Sequence, residues 1–190
     1  MKFSSILTYT FALLASASAT RPSILDSCGS DALLLKESTI EHDGKVVKVA
    51  MTSCPGFANL TSNVLAAPSR LTKRAVMQCN LAPSACTNLC NIIGPQPSLV
   101  DCTVLLLTLV LQLNTFTAAP LSVTTFNLGT CQYAFANLDI VEYDVCHNFV
   151  GSHGQGIVTQ CALSLPSTVS GSCISLGLLN NNWIIQSLHS

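Results

Sequence analysis

Ten cysteines punctuate this 190-residue chain, none of them before Cys28, and no other feature restricts its possible folds as tightly. The dibasic pair Lys73-Arg74 splits them into two sets. Cys28 and Cys54 precede the pair; Cys79, Cys86, Cys90, Cys102, Cys131, Cys146, Cys161 and Cys173 follow it. Both sets are even, so each can close its bridges without the other, although spacing alone does not choose the pairing. A bridge in a small secreted domain contributes about 2–5 kcal/mol, much of it by restricting the unfolded chain.

The N-terminus says which compartment those thiols meet. Met1-Lys2 is a positive n-region, Ile6 to Leu14 an apolar h-region, and Ala17-Ser18-Ala19 a small-residue cleavage signal before Thr20. This is the layout of a secretory signal peptide removed after Ala19, and its apolar run is too short to span a bilayer. Residues 1–19 are therefore read as a signal peptide and the product as secreted and extracellular, where disulfides form and persist.

Charge divides the chain at the same place as the cysteines. Lys2, Arg21, Lys36, Lys45, Lys48, Arg70, Lys73 and Arg74 are all its basic residues, and residues 75–190 keep only Asp101, Asp139, Glu142 and Asp144. The break follows Ala66-Ala67-Pro68-Ser69-Arg70, a linker that leaves Lys73-Arg74 open to a kexin-type protease. Cleavage after Arg74 makes residues 20–74 a propeptide or N-terminal hairpin module and residues 75–190 a disulfide-rich mature domain. Asn59-Leu60-Thr61 is the single N-glycosylation sequon and falls in the stretch leading to that linker.

Local patterns predict an α+β fold: a small disulfide-stapled domain in which one central apolar helix, about 98–113, packs on short antiparallel strands. Residues 38–42 and 45–49 flank Asp43-Gly44, a pair suited to the positive φ angles of a two-residue type I′ hairpin turn. Val47 and Val49 share one face of the second strand, Val46 and Lys48 the other, and Cys28 and Cys54 are placed to staple the hairpin ends. Ser98-Leu99-Val100-Asp101 has capping-box form and opens the run Cys102 to Leu111, apolar on nearly every side, which reads as a buried helix. Residues 121–126 and 130–135 predict a hairpin with a three-residue loop, Asn127-Leu128-Gly129. Gly151, Gly154 and Gly156 interrupt any helix, so 151–156 reads as a flexible loop before a weak helix over 156–163. The chain from Pro166 to Cys173 reads as loop, and the tail around Asn180-Asn181-Asn182 as a last hairpin.

Few residues offer chemistry. Cys86, Cys90, Cys146 and His147 have the types of a structural zinc site, but disulfides are the stronger reading in a secreted chain. Asp139, Glu142 and Asp144 form an acidic cluster whose spacing matches no calcium loop. Gly151-Ser152-His153-Gly154-Gln155-Gly156 lacks the Lys of a phosphate loop and the spacing of a nucleophile elbow. No grouping marks a serine–histidine–acid triad. The expectation is a protein that is not an enzyme and needs no cofactor or metal. A mature domain of formal charge −4, without Lys or Arg, is also a poor partner for nucleic acid. Its partner is expected to be extracellular: a host protein, a cell wall or itself. A low-charge surface suits assembly or adsorption and denies trypsin-like proteases their sites.

The spacing Cys86-x3-Cys90-x11-Cys102-x28-Cys131-x14-Cys146-x14-Cys161-x11-Cys173, with Asp101-Cys102-Thr103-Val104 opening the apolar run, resembles small secreted cysteine-rich proteins of basidiomycete fungi. The likeness covers residues 79 to 173. It implies fungal origin, secretion and an effector-like role rather than a defined activity. Members carry an aromatic residue and an Arg near Cys146, where this chain has His147-Asn148-Phe149. Hydrophobins share eight cysteines and low charge, but their two adjacent Cys-Cys pairs have no counterpart here, so only a hydrophobin-like physical role carries over.

Overall fold

The structure is a computed structural model that describes residues 23–61, 76–82, 85–90, 95–164, 170–176 and 182–190. Ala19, the rest of the signal peptide, the linker and Lys73-Arg74 lie outside the described residues.

After a short 3-10 helix, Ile24–Cys28, the hairpin forms as its turn chemistry requires. Strands β1 (Leu33–His42) and β2 (Lys45–Ser53) join through Asp43 at φ 47° and Gly44 at φ 71°. Cys28–Cys54 staples the hairpin ends. The short helix α1 (Phe57–Thr61) follows, and it carries Asn59 exposed on its surface.

The hairpin joins the main sheet. β2 pairs antiparallel with β6 (Ser122–Leu128), placing Met51 opposite Thr124 and Val49 opposite Phe126. β6 pairs in turn with β7 (Cys131–Asn137). With β4 (Thr87–Cys90), β9 (Gly171–Leu176) and β10 (Asn182–His189) these strands form one seven-stranded antiparallel sheet, ordered β1-β2-β6-β7-β10-β9-β4. A second sheet of three strands, β3 (Val76–Gln78), β8 (Tyr143–Cys146) and β5 (Thr115–Ala118), is parallel between β3 and β8 and antiparallel between β8 and β5.

Two helices, α2 (Leu99–Val110) and α3 (His147–Ser164), pack on one face of the large sheet. Leu105, Leu109, Tyr133, Phe135, Phe149, Ile157 and Trp183 meet there in the main core. The opposite face carries a smaller core in which Ile24, Cys28, Cys54 and Phe57 cover Val123, Ala134, Ala136 and Leu138. The N-terminal segment therefore both extends the sheet and closes its second face.

The α+β class and the antiparallel pairing hold, but the central helix does not. α2 buries Cys102, Leu105, Thr108 and Leu109 while Leu99, Val100, Leu107, Val110 and Leu111 stay exposed. An apolar composition all round left no polar stripe to mark the outward face. The glycines misled in the other direction, since 151–156 lies inside α3, an 18-residue helix. A Cβ on Gly151 would stand 3.1 Å from that of Leu109, and one on Gly154 2.8 Å from the Tyr133 ring. These glycines permit close approach of α3 to α2 and to the sheet. The loop between β6 and β7 has two residues, Gly129 and Thr130, because β6 continues through Asn127 and Leu128. Part of the stretch read as loop before Cys173 is β9, and the expected last hairpin is present as β9 and β10.

Candidate functional site

The pleat decides which hairpin side chains face the helical side of the sheet. Alternation from the β1–β2 and β2–β6 registers puts Lys36, Ser38 and Ile40 of β1, Val49 and Met51 of β2, and Thr124 and Phe126 of β6 on that face. A register shift between Leu34 and Lys36 makes Leu35 the extra residue of a bulge, which also turns toward this side. Opposite stand Phe116 of β5, the neighbouring Asn114, Thr115, Thr117 and Ala119, Glu142 and His147. Between these two walls runs a groove of about 640 Å³.

Its inner end is aromatic. The Phe116 ring centroid lies 5.2 Å from those of both Phe126 and His147. His147, the first residue of α3, donates from Nδ1 to the Asn114 carbonyl at 2.9 Å. Burial holds its imidazole below the ordinary pKa of 6.5, against the opposing pull of that carbonyl, so the ring is neutral at pH 7. In the neutral ring Nδ1 carries the proton, and Nε2 remains an acceptor. Thr124 is 1 % exposed, and its hydroxyl has no hydrogen-bond partner among the described residues. Lys36 and Glu142, both exposed, are the only charged side chains lining the groove among the described residues.

The cysteines pair as Cys28–Cys54, Cys79–Cys146, Cys86–Cys173, Cys90–Cys161 and Cys102–Cys131. No bridge joins the two sides of Lys73-Arg74. Cys86, Cys90 and Cys146 are thus in three different bridges and do not gather around His147. A trio that spacing did not suggest comes together instead: Cys86, Cys173 and His153 bring one ligand atom each within 4.8 Å. Its two sulfurs are joined to each other, which leaves no thiolate for a metal. His153 Nε2 donates to the Asn80 carbonyl at 3.2 Å, and burial lowers its pKa as well.

The acidic cluster is dispersed. Asp139 is buried and accepts hydrogen bonds from Tyr143 Oη and from the backbone and side-chain nitrogens of Asn182. Asp144 accepts from Thr117, and Glu142 borders the groove. Burial and the neighbouring Asp139 push the Tyr143 phenol up, so it acts as a donor.

Apart from Val49, whose face the strand alternation gives, sequence reading missed the groove. Its walls come from β1, β2, β5, β6 and the start of α3, and no local pattern joins those elements. No family model, no curated protein and no solved structure matches the chain. Among the described residues, no helix is long and apolar enough to cross a membrane.

Proposed function

We propose that this is a secreted, non-enzymatic and effector-like protein of fungal type, which acts outside the cell by binding a host or environmental partner. Processing after Ala19 and after Arg74 leaves residues 20–74 and 75–190 as two chains of one fold, with a glycan on Asn59. The observation that carries the reading is the groove, a recess in a fold with five disulfides that is walled on one side by the N-terminal hairpin. Disulfides at this density belong to an oxidising compartment and favour a preorganised binding surface. The four histidines support binding over acid–base chemistry. His42 sits beside Asp43, His147, His153 and His189 bond backbone carbonyls, and none of them pairs with a hydroxyl nucleophile among the described residues.

Intact mass of protein collected from the medium of a secreting fungal host tests this. One chain starting at Thr20 and another at Ala75, each with its cysteines bridged internally, is the expected result. Cell retention with residues 1–19 attached, or turnover of a polysaccharide or peptide by the pure protein, overturns it.

The second reading is a cell-wall or interfacial protein that self-associates. The outward face of α2 favours it, since Val100, Leu107 and Leu111 stand exposed without a charge among them. A sedimentation coefficient that rises with concentration, and that Leu107→Lys abolishes, would establish it; a constant monomeric value removes it.

A further inference from the structure

A second cluster shares no residue with the groove and lies at the edge of the large sheet opposite the hairpin. Cys86 stands just before β4, the terminal strand, Cys173 lies in β9, and His153 comes across from α3. His153 Nδ1 is 3.7 Å from Cys86 Sγ and 3.9 Å from Cys173 Sγ. The other ring nitrogen is fixed, since Nε2 carries the proton and donates it to the Asn80 carbonyl at 3.2 Å. In the neutral ring Nδ1 is then the bare nitrogen, and its lone pair is turned to the two sulfurs. Metal-binding histidines are held in this way, with the remote N–H on a carbonyl that sets tautomer and ring plane.

In a tetrahedral zinc centre, bonds of about 2.3 Å to sulfur and about 2.0 Å to nitrogen put those two ligand atoms about 3.5 Å apart, and two sulfurs about 3.8 Å apart. Both nitrogen–sulfur separations in the fold are already close to that value, so only the sulfurs have to part. While Cys86–Cys173 is closed they cannot, and neither is a thiolate. Two electrons change this. A dithiol bonds through one sulfur to Cys86, the half-buried member of the pair, and expels Cys173. Its second sulfur then displaces Cys86 and leaves as a cyclic disulfide, so the bridge has become two thiols. Zn²⁺ takes the place of the two thiol protons, which pass to water. Two thiolates and a neutral imidazole cancel the charge of the dication, which suits a site where Phe149 and Trp183 pack on the histidine ring. Thiolate with imidazole also selects zinc over calcium or magnesium.

We propose that Cys86, Cys173 and His153 form a redox-gated zinc site. Oxidised, it is a covalent bridge; reduced by a dithiol, it becomes a Cys2His zinc centre with water as the fourth ligand. The metal then replaces the lost bond and ties α3 to β9 and the start of β4.

The test takes the full secreted protein, reduces it anaerobically with dithiothreitol, removes the reductant, and titrates it with Co²⁺ and then Zn²⁺. Alkylation before metal is added should label Cys86 and Cys173. One equivalent of Co²⁺ is expected to give a thiolate charge-transfer band and the strong visible bands of a tetrahedral centre. Zn²⁺ should bleach them, and the unreduced protein should show none. His153→Gln retains an amide that can donate to the Asn80 carbonyl but loses the ligand nitrogen. It should label at the same two cysteines and bind about a hundredfold more weakly, at least the loss seen when a group that merely orients a ligand is removed. Cys86→Ser with Cys173→Ser should give no bands, whatever other bridges the reductant opens. The site is overturned if Cys86 and Cys173 resist the dithiol, or if they are labelled and Co²⁺ still shows no tetrahedral thiolate spectrum. Bands that persist in the double variant, or equal binding by His153→Gln, also sink it. So does a reduced chain that loses its near-ultraviolet circular dichroism and does not regain it with Zn²⁺.

Discussion

At the scale of single residues, two glycines of α3 behave oppositely. Gly154 faces the ring of Tyr133, whose hydroxyl donates to the Cys102 carbonyl at 3.1 Å, so the ring cannot retreat without breaking a buried bond. Gly154→Ala is expected to destabilise the fold by about 1–3 kcal/mol through overpacking. A Cβ on Gly156 meets nothing within 4 Å, so Gly156→Ala should stabilise by about 0.5–1 kcal/mol, the usual gain of Ala over Gly within a helix. Thermal melts of the pair check this; equal shifts would mean the Tyr133 contact is not the constraint. The histidines add a pH dependence. His147 sits among Phe116, Phe126 and Asn114, with Lys36 and Glu142 along the same groove. His153 sits among Phe149, Trp183, Asn80 and the Cys86–Cys173 bridge. Both pKa values are lowered in the fold by burial, so below the ordinary value of 6.5 the unfolded chain binds more protons than the native one. Stability is then full above that value and falls as pH drops from 6.5 toward the folded pKa values. The melting temperature should decline over this window, and less steeply in His147→Gln, which can still donate to the Asn114 carbonyl. A parallel decline in parent and variant would remove His147 from the account.

At the scale of elements, Asp101 ties a helix to a hairpin. It was expected to complete a capping box, and Ser98 does accept from its backbone nitrogen at 3.5 Å. The carboxylate instead reaches the β6–β7 turn, accepting from Thr130 N at 2.8 Å and Thr130 Oγ1 at 2.7 Å, next to the Cys102–Cys131 bridge. Those bonds hold its pKa below the ordinary 3.8, chiefly through the Thr130 backbone. Asp101→Asn should cost about 1 kcal/mol near neutral pH. That contribution is present above pH 3.8 and is lost as pH falls through the lower folded pKa, so parent and variant should converge in strong acid. A constant difference at every pH would assign the loss to geometry rather than charge. Elements were legible where one residue pair dictates the backbone: Asp43-Gly44 demanded the hairpin turn, and Ser98 marked the start of α2. They were illegible where distant packing overrides local propensity. α3 tolerates Gly151, Gly154 and Gly156 because two of them fit against α2 and Tyr133, partners that no window around residue 154 contains. The groove is hidden for the same reason, since Lys36, Thr124 and His147 meet only after the sheet has assembled.

At the scale of the whole molecule, the division at Lys73-Arg74 has a different meaning in the fold than in the sequence. The even sets of cysteines do bridge internally, so a cut after Arg74 breaks the only covalent path between the two parts. Yet β2 pairs with β6 from Lys48–Asn127 to Ser53–Ser122, Cys54 N donates to the Leu121 carbonyl at 2.7 Å, and Ile24 N to the Gln186 side chain at 2.8 Å. Ile24 and Phe57 further cover Val123, Ala134, Ala136 and Leu138. Losing this segment would strip one face of the sheet and leave β6 as a long unpaired edge, the condition that promotes edge-to-edge aggregation. The low-charge surface read from residues 75–190 therefore belongs to a body that keeps a more charged partner beside it. Protein cut after Arg74 should elute from gel filtration as one species in native buffer and separate into two chains in urea without reductant. Residues 75–190 produced alone should aggregate, and adding a folded 20–74 segment during refolding should restore solubility. A soluble monomeric body that unfolds cooperatively by itself would show that the strand pairing and the second core are dispensable, and the N-terminal segment would then be a leader discarded after folding.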